Sequence, residues 1–332
     1  LTRSGAACAF VTTRGFADVL LIGYQDRAEL FNLDIVKPAP LFSAVTEIDE
    51  RISGAGDVLQ APSEEQLRQQ LTALKSEGIE SLAICLLNAY ANSEHEQLIA
   101  AIARELPFSS ISVSSTVSGL MKLVSRADTT VLDGYLNPVL SEYIERIRNT
   151  LHPDSTMRLL TSAGGLAAAD AFRGKDSILS GPAGGVIGFS QAARMVGYER
   201  AIGFDMGGTS TDVTRFDGAV EYEYETRKAG VRIVAPMLAI ETVAAGGGSI
   251  CSFDGVKLRV GPASAGADPG PACYGKQGPL TVTDLNLVLG KIQTQYFPIP
   301  LNKQAALDRL QSLAMEIEQA TGIVYQPVEL AE

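Results

Sequence analysis

A glycine-rich stretch between two β-prone runs constrains the fold more than any other feature of the sequence. It reads IGFDMGGTSTDVTRF, residues 202–216, and an aspartate stands on each side of its glycines, Asp205 and Asp212. A P-loop or a dinucleotide-binding fingerprint would continue into a helix, whereas here a second strand-like run follows. A third such run, 219–225, comes after an Asp-Gly pair, which is a hairpin signal. The sequence therefore predicts consecutive antiparallel strands around a glycine turn.

The composition of this turn predicts a site for a phosphate and a metal ion. Two carboxylates facing each other across a turn repel unless a cation lies between them, so Asp205 and Asp212 are the predicted Mg²⁺ ligands, directly or through water. They are also the predicted catalytic residues, since one of them can orient an attacking group. Turn amides form anion-binding concavities, to which hydroxyls add donors. The predicted phosphate-binding residues are Gly207, Gly208, Thr209, Ser210 and Thr211. A plain hairpin turn is the alternative, but it gives no reason for an acid at both strand ends.

A second glycine run is a further candidate for ligand contact. Its residues are Gly246, Gly247, Gly248 and Ser249, and after them comes a predicted hairpin that turns at 254–255. Successive glycines permit close approach of a ligand, so the run is either a nucleotide or substrate contact or a flexible turn. The next stretch, 261–279, is rich in glycine and proline and is interpreted as a loop packed at the site or at a subunit interface rather than disordered. Asp268 and Asp284 near it are predicted turn or helix caps.

A predicted helix over 180–197 carries three glycines inside it, at positions 184, 185 and 188. Each interior glycine costs about 0.5–1 kcal/mol relative to alanine. Close approach of another backbone or of a ligand would compensate for this cost. A weak helix beside a loop is the alternative interpretation.

The remaining sequence alternates strand-like and helix-like segments, which indicates an α/β layer with parallel pairing. Strands are predicted at 7–12, 18–22, 82–87 and 157–161, and the last is followed by a tight turn, 162–165, into a short helix. Helices are predicted after two capping boxes, Ser63 with Gln66 and Ser93 with Glu96, over 129–151 and over 305–320. Pro138 interrupts the longest of them, so a kink, or a restart with Asn137 as its cap, is expected.

The composition excludes several classes of function. A net charge of −11 and a pI near 4.8 argue against a broad electrostatic grip on nucleic acid or on acidic membranes. The chain has two histidines, which disfavours zinc and Ser/Cys hydrolase chemistry, and its four widely spaced cysteines are predicted to be reduced thiols. Apolar runs are too short for a membrane span and the N-terminus lacks a signal-peptide layout, so a cytoplasmic location is expected.

Several motifs in order resemble the hydantoinase A and 5-oxoprolinase family, within the actin, sugar-kinase and chaperone ATPase superfamily. They are SGPAGGV, FDMGGTSTDV, TVAAGGGS, GPASAGADPGPACYG and LTVTDLNLVLG, with VTTRGFADVLLIG near the N-terminus. The resemblance implies an α/β, actin-like (ribonuclease H-like) architecture with mixed sheets flanked by helices. It implies two parts: residues 1–118, the remainder of an N-terminal α/β domain, and residues 119–332, a central domain truncated at its C-terminus. The chain would be a central fragment that starts after a first phosphate loop, ends before an adenosine-contacting segment and is inactive alone.

The same resemblance implies an activity. ATP with Mg²⁺, or with Mn²⁺ or K⁺, would phosphorylate the carbonyl oxygen of a small cyclic amide such as 5-oxoproline or a hydantoin, which opens the ring carbon to water. The expected partner is a hydantoinase B-like subunit or a fused second half, in an oligomer, with no nucleic acid and no membrane. An ATP-dependent ketone carboxylase subunit and a non-enzymatic actin-like nucleotide-binding module are the alternatives.

Overall fold

The computed structural model describes residues 4–24, 31–228 and 230–332, which form two compact units. Unit 1 comprises Leu1–Ile187 and Glu221–Leu238, and unit 2 comprises Gly188–Val220 and Ala239–Glu332. The domain division at residue 118 concerns the family's sequence regions and stays a prediction.

The strands, in chain order, are β1 (Cys8–Thr13), β2 (Ala44–Ile48), β3 (Arg51–Ile52), β4 (Val58–Gln60), β5 (Ser81–Ile84), β6 (Ser110–Val113), β7 (Arg158–Leu160), β8 (Leu166–Ala168), β9 (Arg200–Met206), β10 (Thr211–Asp217), β11 (Ala219–Val220), β12 (Tyr222–Glu223), β13 (Thr226–Lys228), β14 (Val231–Ile233), β15 (Met237–Leu238), β16 (Glu241–Val243), β17 (Ser249–Phe253) and β18 (Leu258–Ser264). The helices are α1 (Val19–Ile22), α2 (Glu64–Ser76), α3 (Glu94–Arg104), α4 (Ser114–Val117), α5 (Leu123–Arg148), α6 (Gly174–Ser177), α7 (Ser180–Met195), α8 (Val282–Val288), α9 (Lys303–Thr321) and α10 (Pro327–Ala331).

Unit 1 is built on a parallel sheet of order β2-β1-β5-β6, which confirms the predicted parallel α/β layer. Successive residues of a strand face opposite sides of a sheet. On one side of β1, Val11 packs in a core cluster with residues of α2 and α3, while on the other Phe10 packs with Ala127 and Val131 of α5. Because both faces are covered by helices, β1 is buried along its whole length.

Of the two predicted capping boxes in unit 1, the first is confirmed at its N-cap residue, Ser63, and the second is wrong. The Ser63 hydroxyl accepts a hydrogen bond from the Gln66 amide and caps α2. Ser93 makes no side-chain cap at α3. Glu96 is fully buried, and its carboxylate accepts hydrogen bonds from the Leu86 amide and from both the hydroxyl of Ser114 and the amide of Ser115. Glu96 therefore accepts hydrogen bonds from the segments that follow β5 and β6, because buried donors there need a partner.

Of the kink or restart predicted at Pro138, the restart is wrong, since α5 continues through this residue as one helix. Proline has no N–H for the carbonyl four residues earlier, which belongs to Gly134. The Ser81 hydroxyl donates to that carbonyl at 2.6 Å and so replaces the missing helical hydrogen bond. Asn137 does not cap: it is buried, donates to Asp133 and accepts from the amide of Gly174 at the start of α6.

Two further predictions for unit 1 fail at short apolar segments. Residues 18–22 contain the short helix α1 rather than a buried strand, and Leu21 and Ile22 on it are 55% and 46% exposed. Short apolar runs do not distinguish strand from helix by periodicity. The strand predicted at 157–161 is confirmed as β7, but the turn after it leads into β8, not into a helix.

Unit 2 combines a small antiparallel sheet with a helical core. In the sheet, β10 pairs with β9, β11 and β16. The predicted hairpins at 217–218 and 254–255 are confirmed as β10–β11 and β17–β18. The predicted helix over 305–320 is α9, whose buried face meets α8 and α10 in one core cluster.

The glycine-containing helix is confirmed as α7, and its glycines have different surroundings. A Cβ on Gly184 would lie 3.3 Å from the side chain of Leu160, so the close neighbour there is a side chain and not the predicted backbone or ligand. A Cβ on Gly188 would meet nothing within 4 Å. No described residue packs closely enough against position 188 to explain why it is a glycine.

The cysteines are free thiols, as predicted. Burial raises the pKa of Cys8 and of Cys85 to about 11. His95 is buried beside Glu50, whereas His152 lies after α5 at the surface. Among the described helices, none combines the length and the apolar character that crossing a membrane requires.

Candidate functional site

The β9–β10 hairpin brings the two predicted carboxylates together. The strands pair in register from Asp217 with Arg200 to Thr211 with Met206, and within this register Asp212 lies directly opposite Asp205. Residues opposite each other in an antiparallel pair project from the same face of the sheet. Asp205 is exposed and Asp212 is half-buried. Both carboxylates therefore belong to one face, at the end of the hairpin next to the glycine turn.

The turn exposes backbone donors. Residues 207–209 are exposed, and the Gly207 amide closes the turn by donating to the Ser210 carbonyl at 2.9 Å. The next three amides, those of Gly208, Thr209 and Ser210, donate to no acceptor among the residues that the structure describes. Consecutive unengaged amides in a turn are the donors that an anion-binding concavity needs.

The second glycine run packs against this turn, backbone to backbone. The amides of Gly247 and Gly248 donate to the carbonyls of Gly207 and Gly208, at 2.9 and 2.6 Å. A Cβ on Gly246 would lie 2.7 Å from the Gly207 oxygen, closer than real Cβ contacts come. The absence of side chains in this run is therefore a requirement of the contact with the turn.

The same run is anchored on its other side. The Gly248 carbonyl accepts from the Ala265 amide, and the Gly247 carbonyl accepts from both the amide and the hydroxyl of Thr283 at 2.8 Å. The Ser249 hydroxyl accepts a hydrogen bond from the Gly246 amide. Gly246, Gly248 and Ser249 are buried. Their predicted contact with a nucleotide stays a prediction, whereas their role as support for the turn is visible in the hydrogen bonds.

The stretch predicted as a loop, 261–279, begins within β18 and is a loop only after Ser264, where it is held by the fully buried Asp284. As predicted, Asp284 caps a helix, forming a capping box with Thr281 at the start of α8. Its carboxylate also accepts the amides of Ala272 and Cys273. Asp268 is on the surface and pairs with Lys276 at 3.2 Å. The loop is thus packed, and its predicted place at a subunit interface stays a prediction.

Two threonines near the carboxylates have defined hydrogen bonds. The Thr211 hydroxyl donates to the Ala245 carbonyl at 2.6 Å, so its single proton is not available to a phosphate, contrary to the expected use of this hydroxyl. The Thr242 hydroxyl donates to Oδ1 of Asp212 at 2.8 Å. Sequence analysis missed Thr242, although it stands four residues before the second glycine run.

The donor set fits a magnesium nucleotide. Within the described ranges no group of three or more His, Cys, Asp and Glu side chains is placed to hold a metal ion. Mg²⁺ does not require such a group, because it is usually held by one or two carboxylates together with water and phosphate oxygens. Asp205 and Asp212 supply that number of carboxylates beside free amides. The assignment of these residues to metal, nucleotide and catalysis stays a prediction.

Comparisons with known proteins identify relatives over the whole chain. A family model described as the hydantoinase/oxoprolinase N-terminal region matches residues 1–106, and the hydantoinase/oxoprolinase model matches residues 126–332. The 5-oxoprolinase of Saccharomyces cerevisiae is 43% identical; the match covers 98% of this chain and 28% of that protein. The caprolactamase subunit alpha of Pseudomonas jessenii is 33% identical, with 98% of this chain and 50% of that protein covered.

Two solved structures share the fold. Nucleotide-free acetone carboxylase superposes with a TM-score of 0.79 at 26% identity, covering 99% of this chain and 49% of that one. ATP-dependent caprolactamase from Pseudomonas jessenii gives a TM-score of 0.77 at 32% identity, with the same coverage. The predicted fold class, α/β with an actin-like ATPase architecture, is confirmed by these neighbours and by the mixed sheets with flanking helices.

Proposed function

The chain belongs to the hydantoinase/oxoprolinase family, and from this premise we propose that it is part of the ATP-binding portion of an enzyme that hydrolyses a cyclic amide. Relatives named 5-oxoprolinase and caprolactamase support this reaction class. The chain spans 28% of the yeast 5-oxoprolinase and half of the caprolactamase subunit, so the proposal concerns the activity of the whole protein.

One observation carries the proposal. Two carboxylates lie opposite each other on one face of the β9–β10 hairpin. Beside them is an exposed turn in which the amides of residues 208–210 donate to no described residue. A turn that only reverses the chain has no use for paired acids, whose charges repel. A metal-bound polyphosphate accounts for both halves of the arrangement, because it brings a cation for the acids and oxygens for the amides.

Each part of the site has a task in this proposal. Asp205 and Asp212 hold Mg²⁺, and one of them orients the attacking group. The amides of residues 208–210 receive phosphate oxygens, while residues 246–248 keep the turn in place. When bound, Mg²⁺-ATP supplies the phosphoryl group. In the proposed reaction, this group would pass to the amide carbonyl oxygen of 5-oxoproline, a hydantoin or a related lactam, and ADP would leave. Water would then add to the ring carbon, the ring C–N bond would break, and inorganic phosphate would be released.

The proposal extends to partners and location. A hydantoinase B-like subunit or a fused second half would complete the enzyme, within an oligomer; the name "subunit alpha" of the Pseudomonas relative supports a multi-part arrangement. A cytoplasmic location is proposed from the composition alone. Magnesium is proposed as the metal ion because the site offers two carboxylates beside free amides.

A second candidate, an ATP-dependent ketone carboxylase subunit, is favoured by the similarity to acetone carboxylase. The two reactions share activation of a carbonyl compound by ATP and differ in the species that attacks the activated carbon. An assay of phosphate release by the full-length protein with its neighbouring subunit, in the presence of ATP and Mg²⁺, distinguishes the two reactions. Phosphate release that depends on 5-oxoproline, a hydantoin or caprolactam supports amide hydrolysis, whereas release that depends on acetone together with bicarbonate supports carboxylation. Nucleotide binding with neither would indicate a non-enzymatic module.

The site assignment is tested by Asp205→Asn and Asp212→Asn in the same protein. Each variant removes a charge and keeps the shape, so we expect substrate-dependent phosphate release to fall by about two orders of magnitude. Asp217→Asn is the matched control, because it makes the same change at the far end of the same hairpin, where Asp217 pairs with exposed Arg200. Full turnover in both of the first two variants would show that the assignment is wrong.

A further inference from the structure

A row of three polar residues crosses the sheet of unit 2 at the candidate site. Asp205 on β9 lies opposite Asp212 on β10, and Asp212 lies opposite Thr242 on β16. Residues paired in this way share one face of the sheet. The Thr242 hydroxyl is 2.8 Å from Oδ1 of Asp212. The third member of the row is thus bonded to the second.

This hydrogen bond distinguishes the two carboxylates. An ionised carboxylate only accepts, so the threonine hydroxyl is the donor. Asp212 has one oxygen held by Thr242, while its other oxygen is engaged by no residue that the structure describes. The Asp205 side chain makes no hydrogen bond to any described residue. The carboxylate of Asp212 is therefore held in place before any ligand arrives, and that of Asp205 is not.

Threonine is suited to this role at position 242. Its β-branched side chain has few rotamers on a strand, so the hydroxyl stays aimed at its neighbour. Groups that bond to the far oxygen of a metal-binding carboxylate orient it and tune its affinity for the ion. Position 242 lies on the surface, where no buried core depends on it.

We propose that Thr242 is a positioning residue that fixes the Asp212 carboxylate for metal binding. This inference rests on the proposed function, since it needs Asp212 to meet a metal ion. A competing explanation is that Thr242 and Asp212 form a cross-strand pair that only stabilises the sheet. The two explanations differ in what they predict for magnesium dependence.

The test uses Thr242→Val and Thr242→Ser in the full-length protein with its neighbouring subunit. Valine keeps the branched shape and removes the hydroxyl, whereas serine keeps the hydroxyl. We expect Thr242→Val to raise the Mg²⁺ concentration for half-maximal turnover by about 10- to 100-fold, at unchanged melting temperature. Thr242→Ser should restore most of this loss. Glu241→Gln is the matched control, because position 241 lies on the same strand and faces the other side of the sheet.

A double variant gives a second readout. If Thr242 acts through Asp212, Thr242→Val in an Asp212→Asn background should cause no further change in magnesium dependence. The inference is overturned if Thr242→Val leaves magnesium dependence unchanged while Asp212→Asn lowers turnover by about 100-fold, in which case the proposed function stands. It is also overturned if valine lowers turnover equally at all Mg²⁺ concentrations and serine does not rescue. Full turnover of Asp212→Asn would remove the proposed site and this inference together.

Discussion

Replacing Gly246 with alanine tests whether the second glycine run sets the position of the turn. The backbone of Gly246 is not in the left-handed region, so alanine meets no conformational penalty there. The added methyl group would lie 2.7 Å from the Gly207 oxygen and 2.8 Å from both the Gly208 carbonyl carbon and the Ser210 nitrogen. All three atoms belong to the backbone of the turn, which has no flexible side chain to move aside.

The size of the effect can be worked out from these distances. Ordinary contacts of a Cβ begin at 3.4 Å, so the turn would have to retreat by about 0.7 Å. Overpacking of this kind costs about 1–3 kcal/mol of stability. A misplacement of about 1 Å in a reacting geometry can lower a rate by about 100-fold. We therefore expect Gly246→Ala to lose more activity than its loss of stability would explain.

The assay measures urea denaturation together with KM for ATP and kcat in the full-length protein. Gly247→Ala is the nearest control, because its methyl group would lie 2.8 Å from the Thr283 hydroxyl, outside the turn, but 3.8 Å from the Gly207 oxygen. It should therefore cost stability without displacing the turn. Gly188→Ala is the second control: it is in α7 with nothing within 4 Å, and it should gain about 0.5–1 kcal/mol. If Gly246→Ala keeps wild-type stability, KM and kcat, the turn does not depend on this contact.

Two other predictions concern unit 1. Ser81→Ala leaves the buried Gly134 carbonyl without its donor, so it should lower the free energy of unfolding measured by urea denaturation by about 1–3 kcal/mol. The loss should be smaller in a Pro138→Ala background, where residue 138 regains an N–H. An equal loss in both backgrounds would contradict the assignment. Burial raises the pKa of the Cys8 and Cys85 thiols to about 11, so their contribution to stability is complete below the ordinary thiol pKa of 9.0 and is lost as pH rises towards 11. Unfolding midpoints between pH 8 and 11 and thiol titration check this, and rapid labelling of Cys8 or Cys85 in the native protein at pH 8 would refute it.

The hairpin and its paired acids were predictable because the signals are local. Strand propensity on each side of the glycines and an Asp-Gly turn further along define the strands, and the four-residue turn then sets the register. The predictions that failed depend on distant residues. Glu96 serves amides after β5 and β6 rather than its own helix, and Pro138 is tolerated because Ser81 supplies a hydrogen bond from another element.

The contact between the two glycine runs shows the same limit. Nothing in either run reveals that Gly246 lies against Gly207, because the contact is set by the pairing of β16 with β10. From the sequence, the second run was either a ligand contact or a flexible turn, and its contact with the backbone of the first turn was not predicted. Thr242, which enters the site through the same strand pairing, was missed for the same reason.

In the proposed site, the two glycine runs have different tasks: the first presents free amides, and the second bonds to the carbonyls of the first. Amides that are to bind an anion must stay free of acceptors within the protein, and a turn with free amides lacks the hydrogen bonds that would hold it. Its carbonyls are available for that purpose, and those of Gly207 and Gly208 accept from the amides of Gly247 and Gly248. A Cβ on Gly246 would lie 2.7 Å from the Gly207 oxygen and a Cβ on Gly248 would lie 2.9 Å from the Gly208 oxygen, so neither position has room for a side chain. In the proposed site, the second run thus binds the acceptors of the first, whose donors remain available for a ligand.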